Sequence, residues 1–180
     1  MYRIALGLEY DGATFSGWQA QSSPQLETVQ GRLEAALSRI AAHPIKTICA
    51  GRTDAGVHAI NQVVHFDSRV NRGEKAWSTG VNSLLPPSIR VIWARDVDSE
   101  FHARFSATAR NYKYLVYCQK TERPMLWKRA LRVSQKLDIS AMNEAAACLI
   151  GEHDFAAFRG AGCQSKSPCR RVIEANWTAR

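Results

Sequence analysis

Long apolar runs are missing from this sequence. No stretch of about 18 consecutive apolar residues occurs, so no membrane-spanning helix is expected. No charged-then-apolar leader opens the chain, which argues against a secretory reading. Paired cysteine spacing is missing too: Cys49, Cys118, Cys148, Cys163 and Cys169 are odd in number and form no C-x-x-C pair. That pattern points to reduced thiols and a cytoplasmic protein. Cys163 and Cys169 with a histidine would be the only beginning of a metal site, and no metal or other cofactor is expected. Acidic residues are the scarcer charge, 16 Asp and Glu against 24 Lys and Arg, giving a net +8 and a pI near 9.5. A basic globular chain favours polyanionic partners through a sequence-independent electrostatic attraction.

The apolar periodicity sets out an order of elements. Ile4, Leu6, Leu8 and Tyr10 alternate as in a half-buried strand, and Val29, Leu33, Leu37 and Ile40 recur at helical spacing over roughly 25–42. Strands follow at 45–50 and at about 60–67. Trp77, Val81, Leu84 and Leu85 make one face of a second helix stopped by Pro86 and Pro87, and residues 89–97 read as a strand. The order β-α-β-β-α-β is the split βαβ, or ferredoxin-like, α+β arrangement. It predicts an antiparallel sheet with both helices on one face and the other face left for a partner. The domain division is placed at 1–100 and 101–180. The second part is read as a partial α+β unit: a strand in "ARNYKYLVYC", a helix after Asp138 that stops at Gly151, and a strand in "RRVIEANWTAR". The chain is expected to lack the end of this second domain.

Between the strands at 45–50 and 60–67 stands "AGRTDAGVHA", residues 50–59, where two residues would suffice for a turn. Gly51 and Gly56 allow backbone conformations that other residues avoid. Asp54 sits between them with Arg52 two residues away, an arrangement that would keep the carboxylate ionised. Two readings follow: a nucleophile or base in a partly dry pocket, or a turn in which Thr53 and Asp54 bond their own backbone. His58 offers an Asp–His pair with Asp54, and with it a hydrolase reading, although a histidine beside a strand is otherwise structural.

"GRTDAGVHA" resembles the signature loop of the tRNA pseudouridine synthase A family. "LEYDGATFSGWQAQ", "TVQGRLEAAL", "FHARFSATARNYKYLVY" and "GEHDFAAF" resemble other segments of that family, in order along nearly the whole chain. The resemblance implies a pseudouridine synthase fold and a cofactor-free isomerisation of uridine to pseudouridine at tRNA positions 38, 39 and 40 in the anticodon arm. It also implies a homodimer. Asp54 matches the catalytic aspartate, which attacks ribose C1′ or takes a proton from C2′. Arg52 matches the arginine that holds the target nucleotide out of the helix, and Tyr112 the tyrosine packed against the target base. Flipping a stacked nucleotide costs a few kcal/mol, and stacking on a ring returns roughly 1–3 kcal/mol. A non-catalytic RNA-binding fragment of the same fold is the alternative. Tyr10, Asp11, Trp18, Arg104, Arg110, His153 and Asp154 are candidates for bordering the cleft or contacting phosphate.

Overall fold

The computed structural model describes residues 1–21, 26–160 and 167–179. They fall into two compact units: Met1–Leu115 with Pro124–Ala130, and Val116–Arg123 with the residues from Leu131 onward.

The first unit is built on a four-stranded sheet of order β2-β3-β1-β4. Its strands are β1 (Tyr2–Tyr10), β2 (Thr47–Cys49), β3 (Ala59–Ser68) and β4 (Ile89–Val97). All three pairings are antiparallel, as the split βαβ order requires. Helix α1 (Val29–Ala41) is shorter than the sequence expectation because Thr28 caps it, its side chain accepting from the Gly31 N–H. Gln25, inside the expected span, lies outside the described residues. The second helical segment covers 74–82, with a π-helical turn over Ala76–Gly80. One sheet face carries Ile4, Leu6, Leu8, Val64, Phe66 and Val91 into a core closed by Leu33 and Leu37 of α1 and by Trp77 and Val81.

The opposite face was expected to be open, and the chain partly covers it. Arg3 donates to the backbone oxygens of Ser99 and Phe101 and forms an ion pair with Asp67 at 2.8 Å. The Ala103 N–H donates to His65 Nδ1 at 3.1 Å. His65 is 2% exposed, and its burial lowers the imidazole pKa below the ordinary value. An imidazole that accepts at Nδ1 carries its proton on Nε2. Segment 99–105 is thereby fastened across the sheet.

Among its described residues the second unit holds two small sheets, one α-helix and a 3-10 turn at Ala156–Phe158. Strands β5 (Val116–Cys118) and β6 (Leu131–Val133) pair in parallel, and β7 (Gly151–Asp154) and β8 (Cys169–Val172) pair antiparallel. Helix α2 (Ile139–Ala147) is capped by Asp138, whose carboxylate accepts from the Ser140 and Ala141 N–H groups. The strand expected in "ARNYKYLVYC" is confined to its last three residues. Residues 108–115 are exposed and form no ladder, since an alternating pattern alone supplies no strand to pair with. The expected strand at the end of the chain stops at Val172. Beyond it, the Trp177 N–H donates to Asn143 Oδ1 at 2.7 Å and Asn143 Nδ2 donates to the Trp177 carbonyl at 3.0 Å. This segment is docked on a helix instead of joining a sheet.

Candidate active site

The loop of residues 50–58 lies at the end of the first sheet where β1 finishes and β3 begins, and its backbone is fastened from three directions. From the sheet comes Gln62, at a core-facing position of β3 opposite Leu8. Its Nε2 donates to the Gly51 carbonyl at 2.5 Å and to the Tyr10 hydroxyl at 3.5 Å. The Tyr10 hydroxyl in turn lies 2.8 Å from Thr53 Oγ1. Burial pushes the Tyr10 phenol up, so its hydroxyl stays neutral. A buried amide without these partners would cost about 1–3 kcal/mol, so the network holds both its own members and the loop.

From the opposite side comes the segment after β1. The Trp18 N–H donates to the Thr53 carbonyl at 2.9 Å, and the Gly56 N–H donates to the Phe15 carbonyl at 3.3 Å. Gly17, at a φ of +92°, brings its backbone so close that a Cβ there would lie 2.9 Å from Thr53 O, and a Cβ on Gly12 would lie 2.0 Å from Val57 O. Only glycine permits that approach. The same segment satisfies the first N–H groups of α1: Val29 donates to the Gly17 carbonyl and Gln30 to the Trp18 carbonyl, at 3.2 and 3.0 Å. The loop is thereby tied to the helix as well as to the sheet.

The third fastening is Arg110, whose Nε and Nη2 both donate to the Ala50 carbonyl, at 3.1 and 2.5 Å. The sequence suggested a phosphate contact for this arginine, and in the structure its guanidinium holds the entry to the loop.

Asp54 and Arg52 are exposed on this frame, so the expected dry pocket is not formed by the described residues. The Asp54 carbonyl accepts from the Val57 N–H at 3.2 Å, which makes the tip a turn. His58 does not pair with Asp54. Its Nδ1 lies 3.1 Å from Asp11 Oδ1, and its Nε2 lies 2.9 Å from the Lys128 carbonyl. Tyr112 stands on the exposed segment two residues beyond Arg110 and is 82% exposed. Trp18 is buried, 6.0 Å from Tyr10 between ring centroids, and acts as core support beneath the loop. His153 and Asp154 lie in β7 of the second unit, where Asp154 accepts from the Ala156 N–H at 2.7 Å. Among the described residues no group of three or more His, Cys, Asp or Glu is placed to hold a metal. Cys163, half of the suggested metal pair, lies outside the described residues. Gln62 was missed by sequence reasoning, although a polar residue at a core-facing register position beside Val64 and Phe66 is a readable signal.

The family profile of tRNA pseudouridine synthase matches residues 8–106 and 145–180, a span that contains the whole loop and the segments fastening it from β1 and β3. The chain belongs to this family. It is 52% identical over 174 residues to tRNA pseudouridine synthase A of Paraburkholderia phymatum, covering 97% of this chain and 64% of that protein. The synthase of Aeromonas salmonicida is 52% identical over 170 residues, with coverages of 94% and 62%. That of Shewanella denitrificans is 53% identical over 177 residues, with coverages of 98% and 67%. The chain therefore spans about two thirds of the length of these curated relatives. No helix among the described residues of this tRNA pseudouridine synthase family member is long and apolar enough to cross a membrane.

Proposed function

We propose that this chain carries the catalytic loop of a cytoplasmic, homodimeric tRNA pseudouridine synthase that acts on uridines 38, 39 and 40 of the anticodon arm. The proposed domain bearing the loop is residues 1–100 and the proposed partial second one residues 101–180, with segments 101–115 and 124–130 packing in the compact unit of the first. Asp54 is the reacting carboxylate, Arg52 occupies the space left by the flipped nucleotide, and Tyr112 packs on the extruded base. In the reaction the C1′–N1 bond breaks and the uracil turns within the site. A C1′–C5 bond then forms while C5 loses its proton and N1 gains one, so the product is an isomer and no co-reactant is consumed. Asp54 serves either as nucleophile at C1′ or as base at C2′.

The observation that carries this reading is a carboxylate exposed to solvent on a backbone that hydrogen bonds hold on both sides. Thr53, one residue before Asp54, is held through both its carbonyl and its hydroxyl, and Gly56, two residues after, is held through its N–H. Preorganisation of this kind lets a side chain meet a substrate without reorganising at the moment of reaction. The net charge of +8 supports tRNA as the partner.

The test is tritium release from tRNA labelled at uridine C5. Asp54→Asn is expected to abolish release while tRNA affinity changes little, since most affinity comes from phosphate contacts. Substantial turnover by the Asn variant would remove Asp54 from this role. Tight tRNA binding with no release by the unsubstituted chain would favour the non-catalytic RNA-binding reading.

A further inference from the structure

Residues 124–130, "PMLWKRA", are separated from the rest of the first unit by residues 116–123 and yet belong to it. Three contacts explain why. Arg129 Nη2 donates to Asp11 Oδ2 at 2.5 Å, Lys128 Nζ donates to the Ala13 carbonyl at 3.3 Å, and His58 Nε2 meets the Lys128 carbonyl at 2.9 Å. Lys128 adopts a φ of 58°, a left-handed conformation that costs a non-glycine residue energy unless its surroundings hold it. The residues that hold it are those flanking the catalytic loop. Asp11 directly follows β1, where its carboxylate accepts from the Ala13 N–H, and His58 is four residues after Asp54.

The segment so pinned presents an unusual surface. Trp127 is 64% exposed and Met125 80% exposed. Lys128 Nζ lies 4.5 Å from the Trp127 ring centroid, covering one face of the indole with a cation. An exposed indole with a cation on one face is suited to stack its other face on a nucleobase, a sequence-tolerant contact made by many single-stranded nucleic-acid binders.

We infer that segment 124–130 is a wall of the RNA site, clasped to the catalytic loop by His58, Asp11 and Arg129, and that Trp127 stacks on an unpaired base of the tRNA beside the target nucleotide. This deepens the proposed function and rests on it for the identity of the RNA. Trp127 is the binding residue and His58 a positioning residue that acts through the Lys128 backbone. Both ring nitrogens of His58 are engaged: Nε2 with the Lys128 carbonyl, and Nδ1 within 3.1 Å of Asp11 Oδ1 and 3.3 Å of the Gly12 N–H.

The test measures equilibrium binding of an unmodified tRNA transcript at fixed salt, with circular dichroism as the check on folding. Trp127→Ala is expected to weaken binding by roughly five- to 150-fold, the range of one lost base stack, and Trp127→Phe to recover most of it. His58→Ala is expected to speed hydrogen exchange at the Arg129 and Ala130 amides, which both bond to the Leu126 carbonyl, and to weaken binding in the same direction. In the His58→Ala, Trp127→Ala double variant the losses are expected to be less than additive, because a released wall has no stack left to lose. Unchanged affinity in a folded Trp127→Ala variant overturns the stacking role, and unchanged exchange in His58→Ala overturns the clasp. Binding that responds as expected in a chain that forms no pseudouridine would sustain this inference while removing the enzymatic reading.

Discussion

The two units of this chain are made from similar local signals and end in different structures. Each has a capped helix, with Thr28 at one and Asp138 at the other, and each has short alternating stretches. In the first unit the strands find one another over long separations, β1 pairing with both β3 and β4, and Leu6, Leu8, Leu33, Val64 and Trp77 are fully enclosed. In the second, Ala146 is the only buried apolar residue among those described, while Leu149, Ile150, Phe158 and Ile173 are exposed. The contrast is one of closure. A helix gains most of its stability from burying a face, and α2 buries one alanine. The loop with the family signature grows from the unit that closes, where Gln62 and Tyr10 anchor it from strands of the enclosed sheet.

The sharpest way to break this comparison is to remove matched side chains from the two units. Leu6→Ala, in the enclosed sheet, is expected to cost about 2–5 kcal/mol, whereas Leu149→Ala should stay within about 0.5 kcal/mol. Chemical denaturation followed by circular dichroism reads both, and equal losses would mean that the second unit carries a core of its own. Glycine substitutions come next in size. Gly12→Ala drives a methyl group against the Val57 carbonyl, while Gly160 has open space around it. The first is expected to cost about 1–3 kcal/mol and to slow the proposed pseudouridine formation by displacing the loop, and the second to do neither. A Gly12→Ala protein with unaltered stability would show that the close approach is easily relieved.

Helix caps give a smaller contrast. Thr28→Ala should lower the main unfolding transition by about 1 kcal/mol. Asp138→Ala removes an equivalent cap but should reduce helicity without moving that transition, because α2 is not part of the enclosed core. A shift of the same size for both would join the two units into one cooperative structure.

The smallest expected effect is a slope with pH. Burial holds the His65 imidazole below its ordinary value of 6.5, so between the lowered folded value and 6.5 the unfolded chain binds the proton and the folded chain does not. Stability is therefore full above about pH 6.5 and falls as the pH drops through that window. The Arg3 guanidinium beside Asp67 holds that carboxyl below its usual range, adding a loss at still lower pH. His65→Gln keeps an acceptor for the Ala103 N–H and should flatten the first of these slopes, with His153→Gln in the second unit as the control. Melting temperatures across pH 5 to 7 measure it, and an unchanged slope in His65→Gln would assign the acid sensitivity elsewhere.

The first four strands and the two helical segments between them were legible because each writes its burial into its own period. Ile4, Leu6, Leu8 and Tyr10 face the core as alternation required, and Trp77 and Val81 lie on the buried side of their helix. The loop was legible as a loop, and its likeness to a known signature named the residues to inspect. Residues 108–115 were misread. Tyr112, Tyr114 and Val116 alternate as a strand would, but a ladder also needs a neighbour, and the neighbour is not encoded in the segment itself.

The sequence by itself determined the order of elements in residues 1–97, the cap at Asp138, the basic charge and the position of the loop that carries the family signature. All of these follow from contacts within one turn or one strand, or from composition. Tertiary structure alone decided what holds that loop. The Gln62 amide reaches Gly51, the Tyr10 hydroxyl reaches Thr53, Arg110 reaches Ala50, and His58 turns away from Asp54 to Asp11 and Lys128. Most of these partners are tens of residues apart in the chain and meet only after the register of β1 against β3 is set. Hydrogen-bond geometry depends on tenths of an ångström, and periodicity carries no information at that scale.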